Sequence, residues 1–169
     1  MTVSVLPRLL AASFLALGLV CADVQAADAA PGDVSFSFLQ AEDAEAQQGT
    51  TTEATQDVDG GSDLTSVSNG DWIRYDQIQF LWQAPAMFFQ VRIASGAARN
   101  VTGTIEVRID SDTGPAIASV PVASTGGWQS WTTPTVALTR TVAYRHDVYV
   151  RFVSAQKSDF VNVNWIRFL

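Results

Sequence analysis

Hydrophobic and polar residues alternate along most of the chain, in short segments separated by residues that favour turns. In the segment 103–110, Ile105, Val107 and Ile109 fall on one side of an extended chain, and the charged residues between them fall on the other. Alternation with a period of two is typical of a β-strand with one buried face. The same pattern, bounded by Gly, Asn, Asp, Ser and Pro, predicts eight strands, at residues 34–38, 72–80, 87–94, 103–110, 116–122, 131–138, 147–153 and 160–168.

The number and spacing of these segments predict the fold class. No segment has apolar residues at a helical period, and residues 41–48 are compatible with one short helical turn at most. About eight short strands separated by turn signals are typical of an antiparallel β-sandwich or barrel. The length of 169 residues allows one domain of ordinary size. We therefore predict a single all-β domain.

The beginning of the chain has the pattern of an export signal. Arg8 precedes an apolar run over residues 9–20, and Val24 and Ala26 are small enough for the positions that a signal peptidase recognises. The run is shorter than the ~20 residues that span a bilayer. We therefore predict a secreted protein, extracellular or periplasmic, with no membrane contact after signal removal, divided into a signal peptide (1–26), a linker (27–33) and a folded module (34–169).

Composition excludes several kinds of chemistry. The only cysteine, Cys21, lies inside the predicted signal, so the mature chain has no disulfide. Alternatively, Cys21 is the acylated residue of a lipoprotein, although Val20 before it is larger than the residue usual there. A single histidine cannot supply a Cys/His metal centre and leaves little for nucleophilic catalysis. The net charge of −7 argues against a nucleic-acid partner.

Acidic residues are concentrated in the first half of the chain. Between Arg8 and Arg74 there is no basic residue, and eleven of the 17 acidic residues lie there. They form either a solvated acidic face or a set of oxygen ligands for Ca²⁺. The segment 57–63 is similar to an ion-binding loop, but Ser68 stands where the closing glutamate of an EF-hand is required. We therefore do not predict a self-sufficient ion site in this loop.

Six short motifs follow one another along the predicted module. They are Gln40-Ala41-Glu42-Asp43, Thr52-Glu53-Ala54-Thr55, Asn69-Gly70-Asp71-Trp72, Arg108-Ile109-Asp110-Ser111-Asp112-Thr113-Gly114-Pro115, Thr125-Gly126-Gly127-Trp128-Gln129-Ser130-Trp131 and Asn162-Val163-Asn164-Trp165-Ile166-Arg167-Phe168. In this order and spacing, the chain resembles the carbohydrate-binding modules of family 6 over nearly the whole module. The resemblance implies a jelly-roll β-sandwich that binds polysaccharide without cleaving it and that a structural Ca²⁺ stabilises.

The resemblance also implies the residues of a sugar site. A pyranose has an apolar face and a rim of hydroxyls, so a binding site needs a flat ring and hydrogen-bonding groups at its edge. The resemblance assigns the exposed ring to Trp128, a hydrogen-bonding amide to Asn162 and an acidic rim group to Glu53. The family has a second aromatic ring where this chain has Ser66, so the sugar would be held from one side only.

Two further tryptophans bear on this site. Trp131 lies three residues after Trp128, and an odd separation places two side chains on opposite faces of a strand. We therefore expect Trp131 to pack in the core. Trp82, beside a predicted turn, is the spare candidate for a second exposed ring, although packing explains it better.

For calcium, the resemblance implies Gln40, Glu42 and Asn164 as ligands, which is a set with fewer carboxylates than is usual. A regular strand over residues 160–168 would place Asn162 and Asn164 on the same side as Phe168 and other apolar residues. Buried amides on such a face would need hydrogen-bond partners.

We expect a non-catalytic, monomeric module that binds a polysaccharide or oligosaccharide with β linkages, such as xylan, β-glucan or agar-type galactan, alone or with a partner glycoside hydrolase. A hydrolase would need two carboxylates about 5–10 Å apart on one face. Glu106 and Asp110 share a face, but Arg108 lies between them. The alternative is a structural or adhesive β-sandwich that binds a protein partner.

Overall fold

The computed structural model describes residues 36–58 and 60–169, and within these ranges the chain contains strands and turns but no helix. The predicted signal peptide (1–26) and linker (27–33) lie outside the described residues. A search of the described part for a helix long and apolar enough to cross a membrane finds none.

Twelve strands follow one another in the described part of the chain. They are β1 (Leu39–Gln40), β2 (Ala46–Gln48), β3 (Thr51–Ala54), β4 (Ser62–Val67), β5 (Trp72–Phe80), β6 (Ala86–Ser95), β7 (Gly103–Ile109), β8 (Ala118–Val122), β9 (Gly127–Thr132), β10 (Thr135–Val142), β11 (Tyr144–Ser154) and β12 (Val161–Phe168).

These strands form two antiparallel sheets. The larger sheet has seven strands in the order β10-β6-β12-β4-β3, with β1 paired to β12 and β9 paired to β6. The smaller sheet has five strands in the order β2-β5-β11-β7-β8. The prediction of an all-β antiparallel sandwich is confirmed.

The core lies between the sheets and follows the alternation in the sequence. Ile105, Val107 and Ile109 on β7 are all buried, as predicted. At one end of the core, the ring of Phe168 packs against Phe80 and Phe89, with centroid separations of 5.0 and 5.3 Å. Contacts between the two sheets therefore join residues that are far apart in the sequence.

Several strand predictions are wrong in detail. Of the predicted strand 34–38, the described residues 36–38 form a turn and an irregular residue ahead of β1. Residues 41–48 contain a turn followed by β2 rather than a helical turn. The predicted strand 131–138 is two strands, β9 and β10, and the break contains Pro134, which has no N–H to donate to a sheet. Strands β1 to β4 were not predicted.

A β-bulge in β12 decides where the two asparagines of this strand lie. The pairing of β12 with β6 shifts between Val163 and Trp165, so that Asn164 is an extra residue. Val163 before the bulge and Ile166 after it both belong to the core. The strand is therefore not regular throughout, and the bulge changes the alternation between Asn162 and Phe168.

Candidate functional site

Trp128 lies at the start of β9, where the chain leaves the Gly126-Gly127 turn. Gly126 has a φ of +100°, a conformation that favours glycine. The indole ring rests on the backbone at Gly96, since a Cβ added there would lie 2.6 Å from the ring atom Cδ1 of Trp128. The residue is nevertheless 37% exposed. The missing side chain at Gly96 therefore gives the ring a seat and leaves part of it open to solvent.

Asn162 lies beside this ring and connects four segments. Its Nδ2 donates to Glu53 Oε1 at 2.8 Å and to the backbone oxygen of Trp128 at 3.2 Å. Its Oδ1 accepts from Thr65 Oγ1 at 3.1 Å. The side chain is well satisfied without a ligand, and the residue is only 1% exposed. In this geometry Asn162 positions Glu53 and the Trp128 loop, and the exposed carboxylate of Glu53 is the freer group for a ligand.

Gln129 connects the segments around the site through its side-chain amide. Its Nε2 donates to Glu53 Oε1 at 3.1 Å and to Asp63 Oδ2 at 3.0 Å. Its Oε1 accepts from the backbone N–H of Gln56 at 2.7 Å and from Trp131 Nε1 at 3.2 Å. Trp131 is only partly buried, and its indole N–H is hydrogen-bonded to Gln129 within the site network. The expectation that it packs in the core is wrong.

Asp63 gives this network a buried acidic group. The residue is fully buried, and its burial raises the pKa of the carboxyl group, with a smaller contribution from the nearby charges of Glu53 and Glu42. The charged form of Asp63 is disfavoured because it has left water and faces like charges. Asp63 is therefore more readily protonated than an exposed carboxyl group, although the hydrogen bond from Gln129 Nε2 favours its charged form.

The groups around Trp128 enclose a concavity of about 240 Å³, lined by Glu53, Thr65, Trp128, Asp159 and Asn162. The structure thus brings three of the four predicted sugar-site residues together. Ser66 does not line the concavity; its backbone has a φ of +58°, and its Oγ accepts a hydrogen bond from Thr51.

Thr65 and Asp159 were missed by the sequence analysis. Thr65 stands directly before the unusual backbone at Ser66, and Asp159 lies in the connection just before β12. Neither belongs to a motif that the analysis used. The carboxylates of Glu53 and Asp159 can accept hydrogen bonds from hydroxyls, while the indole offers an apolar surface to a ring of C–H groups.

Two of the predicted calcium ligands, Gln40 and Asn164, line a second concavity of about 240 Å³ on the larger sheet. Asn164 Nδ2 donates to Asp57 Oδ2 at 2.8 Å. Asp57 Oδ1 also accepts from the backbone N–H of Val58 at 2.9 Å, and Arg92 Nε and Nη2 lie 2.8 and 2.5 Å from the two carboxylate oxygens. These bonds from the Arg92 guanidinium hold the pKa of Asp57 below its usual value.

Glu42, the third predicted ligand, does not line this concavity, but its environment is unusual. Its Oε2 is buried and has no hydrogen-bond partner among the described residues. An unpaired buried carboxylate oxygen is costly, and a hard cation such as Ca²⁺ would satisfy it. Within the described ranges, however, no three residues of the types His, Cys, Asp and Glu cluster with the geometry of a metal site. Any cation here would need amide and carbonyl oxygens as well.

Fold and site together define a β-sandwich that presents a seated, open indole beside carboxylate and amide groups, which is the chemistry of a sugar-binding module. The sequence model of the family described as "Carbohydrate binding module (family 6)" matches residues 40–169, and the chain belongs to this family. The family resemblance stated from the motifs is confirmed. Family 6 modules bind carbohydrate and are themselves non-catalytic.

The curated relatives are longer proteins that contain a similar segment. An arabinoxylan arabinofuranohydrolase of Paenibacillus polymyxa is 35% identical over 133 residues, which cover 76% of this chain and 20% of that protein. The clotting factor G alpha subunit of Tachypleus tridentatus is 30% identical over 116 residues, which cover 68% of this chain and 16% of that protein. The chain therefore spans about a fifth of the length of such relatives.

Solved structures show the same architecture. A family 6 module from Clostridium cellulolyticum in complex with xylose is 35% identical, with a TM-score of 0.72 over 81% of this chain and 99% of that one. A β-1,3-glucan-binding family 6 module from Bacillus halodurans is 34% identical, with a TM-score of 0.72 over 80% and 97%. A family 36 module in complex with calcium and xylotriose, 18% identical with a TM-score of 0.57 over 79% and 100%, shares the fold.

Proposed function

We propose that this module binds a neutral β-linked polysaccharide, with a sugar ring stacked on Trp128 and its hydroxyls bonded to Glu53 and Asp159. The observation that carries the proposal is the partly open indole, seated on Gly96, in a concavity lined by these two carboxylates. The amide of Asn162 donates hydrogen bonds to both Glu53 and the backbone of Trp128 and so fixes their relative position.

Among such polysaccharides, xylan is the first candidate and β-glucan the second. Similar modules were solved with xylose and as a β-1,3-glucan binder, and the most similar of the curated relatives named above is an enzyme that acts on arabinoxylan. With Ser66 in place of a second ring, only one face of the sugar is stacked. Covering ~100 Å² of apolar surface contributes about 2.5 kcal/mol before the losses on association, so we expect dissociation constants in the micromolar to millimolar range.

Isothermal titration with xylohexaose and with a β-1,3-glucan hexasaccharide tests this proposal. We expect heat of binding for at least one of the two sugars and a loss of that heat in Trp128→Ala. A wild-type protein that binds neither sugar, or a Trp128→Ala variant that binds as well as wild type, contradicts the proposed function.

We further propose that the module is secreted and works beside a glycoside hydrolase, either in one polypeptide or as a separate partner. The export pattern over residues 1–26 and the occurrence of similar segments within xylan-degrading enzymes support this proposal. Mass spectrometry of the N-terminus of the protein recovered outside the producing cell tests the first part; a mature chain that begins near residue 27 is the expected result.

We also propose a structural Ca²⁺ held by oxygens of Gln40, Glu42 and Asn164. The buried Oε2 of Glu42, which has no hydrogen-bond partner among the described residues, supports it. A ligand at 100 times its dissociation constant stabilises the folded state by about 2.7 kcal/mol. We therefore expect millimolar calcium to raise the unfolding midpoint of the wild type over that in EDTA, and to leave Glu42→Gln unchanged. Equal midpoints in calcium and EDTA for the wild type would argue against the ion.

A further inference from the structure

An exposed aromatic surface lies at the end of the sandwich opposite to Trp128. Trp128 rests on Gly96, directly after β6, whereas Trp82 lies in the turn directly before β6. The ten residues of β6 separate the two positions by roughly 30 Å. Trp82 therefore cannot supply the second face of the Trp128 site, as the sequence analysis considered. The pairings of Tyr144 with Phe80 and of Val142 with Ala86 bring residues 140–145 to the same end as the turn 81–84. We call the surface formed by Trp82, Tyr144, Arg140 and Arg145 the far-end surface.

Trp82 does not pack either, which was the other expectation. It is 65% exposed and lies at the tip of a tight turn closed by a bridge between Leu81 and Ala84. Among the described residues, its indole has no aromatic neighbour and no hydrogen-bond partner for Nε1. Turn tips normally carry Gly, Asn, Asp or Pro, and an indole open to water contributes nothing to folding. The residue at this position needs an explanation outside the fold.

Tyr144 is the second ring of this surface and is held outward by its backbone. It lies opposite Phe80 in the pairing of β11 with β5, yet Phe80 is buried and Tyr144 is 66% exposed. Its φ of +74° is rare for a bulky residue, and such strain is typical of functional positions. His146 braces the segment, with Nε2 at 2.9 Å from the Ala143 oxygen and Nδ1 at 2.7 Å from Asp110 Oδ2.

Two arginines complete the far-end surface. Arg140 and Arg145 are exposed, and neither side chain makes an ion pair or hydrogen bond within the described ranges. The parts of the chain that carry these residues, the turn 81–84 and residues 140–146, contain no acidic residue, in a chain whose net charge is −7, and the nearby Asp110 is bonded to His146. The far-end surface is thus basic, whereas the Trp128 concavity is lined by carboxylates.

We propose that the far-end surface is a second glycan contact, and that it takes an anionic polysaccharide whose sugars carry carboxylates. The two rings would stack on sugar faces, and a guanidinium binds a carboxylate through two parallel hydrogen bonds. The proposal rests on the proposed function for the class of ligand, and it adds a second site of opposite charge. A module with both sites would hold a neutral and an acidic polysaccharide at once, and would gain avidity on a surface that contains both.

The neighbouring side chains of Leu81 and Met87 are also exposed, and a protein with an acidic surface would fit them as well. The observations favour a glycan because Trp82 and Tyr144 are the most exposed aromatic residues of the described part, and because unpaired guanidinium groups flank them. An acidic protein partner is therefore an outcome of the test rather than the proposal.

Affinity electrophoresis in gels that contain polygalacturonate, glucuronoxylan or alginate tests the proposal, with neutral xylan as a separate gel. The test protein is Trp128→Ala, in which the first site is disabled. We expect retardation by at least one of the carboxylated glycans, at least tenfold weaker binding when Trp82→Ala and Tyr144→Ala are added, and a similar loss with Arg140→Gln and Arg145→Gln. Arg99→Gln, which removes an exposed arginine elsewhere, is the matched control and should retain binding.

Three results would overturn the proposal. The first is no retardation of Trp128→Ala by any of the three glycans, which would favour an acidic protein as the occupant. The second is retardation that survives removal of both rings, and the third is an equal loss in Arg99→Gln; both would indicate attraction by net charge only. The gel with neutral xylan compares wild type with Trp128→Ala and therefore tests the Trp128 site only. Failure of the proposed function would appear in that gel, whereas failure of the far-end proposal would appear in the gels with carboxylated glycans. Circular dichroism of each variant verifies folding.

Discussion

The two exposed tryptophans of this module present the same ring in opposite surroundings. Trp128 lies in a concavity, on the backbone of Gly96, with Glu53 and Asp159 beside it. Trp82 lies on a turn tip, at the end that carries Arg140 and Arg145, whose guanidinium groups make no ion pair among the described residues. An indole offers similar stacking to any sugar, so the charge around the ring decides which sugars it can hold. An exposed ring therefore identifies a glycan contact only together with its polar neighbours.

The two ends also differ in how they are held together. Around Trp128, the hydrogen bonds of Asn162 and Gln129 join segments that lie 34 to 109 residues apart in the sequence. At the other end, Trp82 belongs to a turn closed by Leu81 and Ala84, and His146 braces the carbonyl three residues before it. The Trp128 ring therefore depends on long-range side-chain bonds, whereas Trp82 is held by a short turn and Tyr144 by the pairing of β11 with β5.

The largest effect that we expect concerns the ion pair on the face of the larger sheet that also carries the Trp128 site. Asp57→Asn removes the charge that pairs with Arg92 and one acceptor for Asn164. Because Asp57 is buried and Arg92 is only partly exposed, we expect the loss to approach the ~3 kcal/mol that removal of one partner of a buried pair costs. Chemical denaturation at pH 7 measures this loss, and a variant within 1 kcal/mol of wild type would contradict it.

The sign of the pH dependence of this pair follows from the lowered pKa of Asp57. Because the folded-state pKa lies below the unfolded value of 3.8, the stabilisation is complete above the unfolded value and is lost as the pH falls through the folded value. The stability difference between wild type and Asp57→Asn should therefore be largest at neutral pH and should shrink below pH 3.8. Denaturation curves at several pH values test this; a difference that grows on acidification is the opposite result.

The next effect concerns the ring itself. Trp128→Ala should weaken binding of a neutral oligosaccharide by roughly 60-fold, which corresponds to about 2.5 kcal/mol of lost stacking. The free energy of unfolding should change little, since the ring is partly exposed. Phe38→Ala is the matched control, because Phe38 is an exposed ring that lines the other concavity. Titration calorimetry compares the two, and equal affinities for both variants would show that the ring at 128 is not the platform.

Gly96→Ala should displace the indole ring of Trp128 without removing it. The added Cβ would lie 2.6 Å from Trp128 Cδ1, so the ring must move. We expect about a tenfold loss of affinity, smaller than for Trp128→Ala because the displaced ring still offers surface. Tryptophan fluorescence should change along with affinity. Full affinity in Gly96→Ala would mean that the seat under the ring is not needed.

Strands with strict apolar alternation were predictable, and strands without it were not: the edge strand β8 was predicted, whereas the inner strand β4 was missed. Strand β7 lies within the smaller sheet with one face on the core, so its alternation is strict and visible in the sequence. Strand β3 is an edge strand whose four residues are all exposed, so no apolar alternation marks it. Its pairing with β4 is a property of the assembled sheet, which a local pattern does not contain.

The chemistry of the site was predictable only where a motif carries it. Trp128, Glu53 and Asn162 were predicted from a family resemblance, and the structure brings them to one concavity. The bulge at Asn164 and the burial of Asn162 in its own hydrogen bonds depend on the register between β12 and β6, which the sequence does not show. Thr65 enters the site through the pairing of β4 with β12, and Asp159 through the connection before β12, so neither carried a signal of its own in the local sequence.

The smallest effect that we expect concerns the backbone strain at Tyr144 in the far-end surface. Tyr144 has a φ of +74°, where a residue with a Cβ is less stable than glycine by about 1 kcal/mol. Tyr144→Gly should therefore be more stable than Tyr144→Ala by about that amount, because the two variants lack the same ring and differ only in the Cβ. At Arg99, an exposed position without a left-handed backbone, the order should reverse. Thermal unfolding of the four variants measures both differences. If Tyr144→Gly were no more stable than Tyr144→Ala, the backbone at position 144 would not be strained. Backbone strain would then not be a reason to assign a function to the exposed ring.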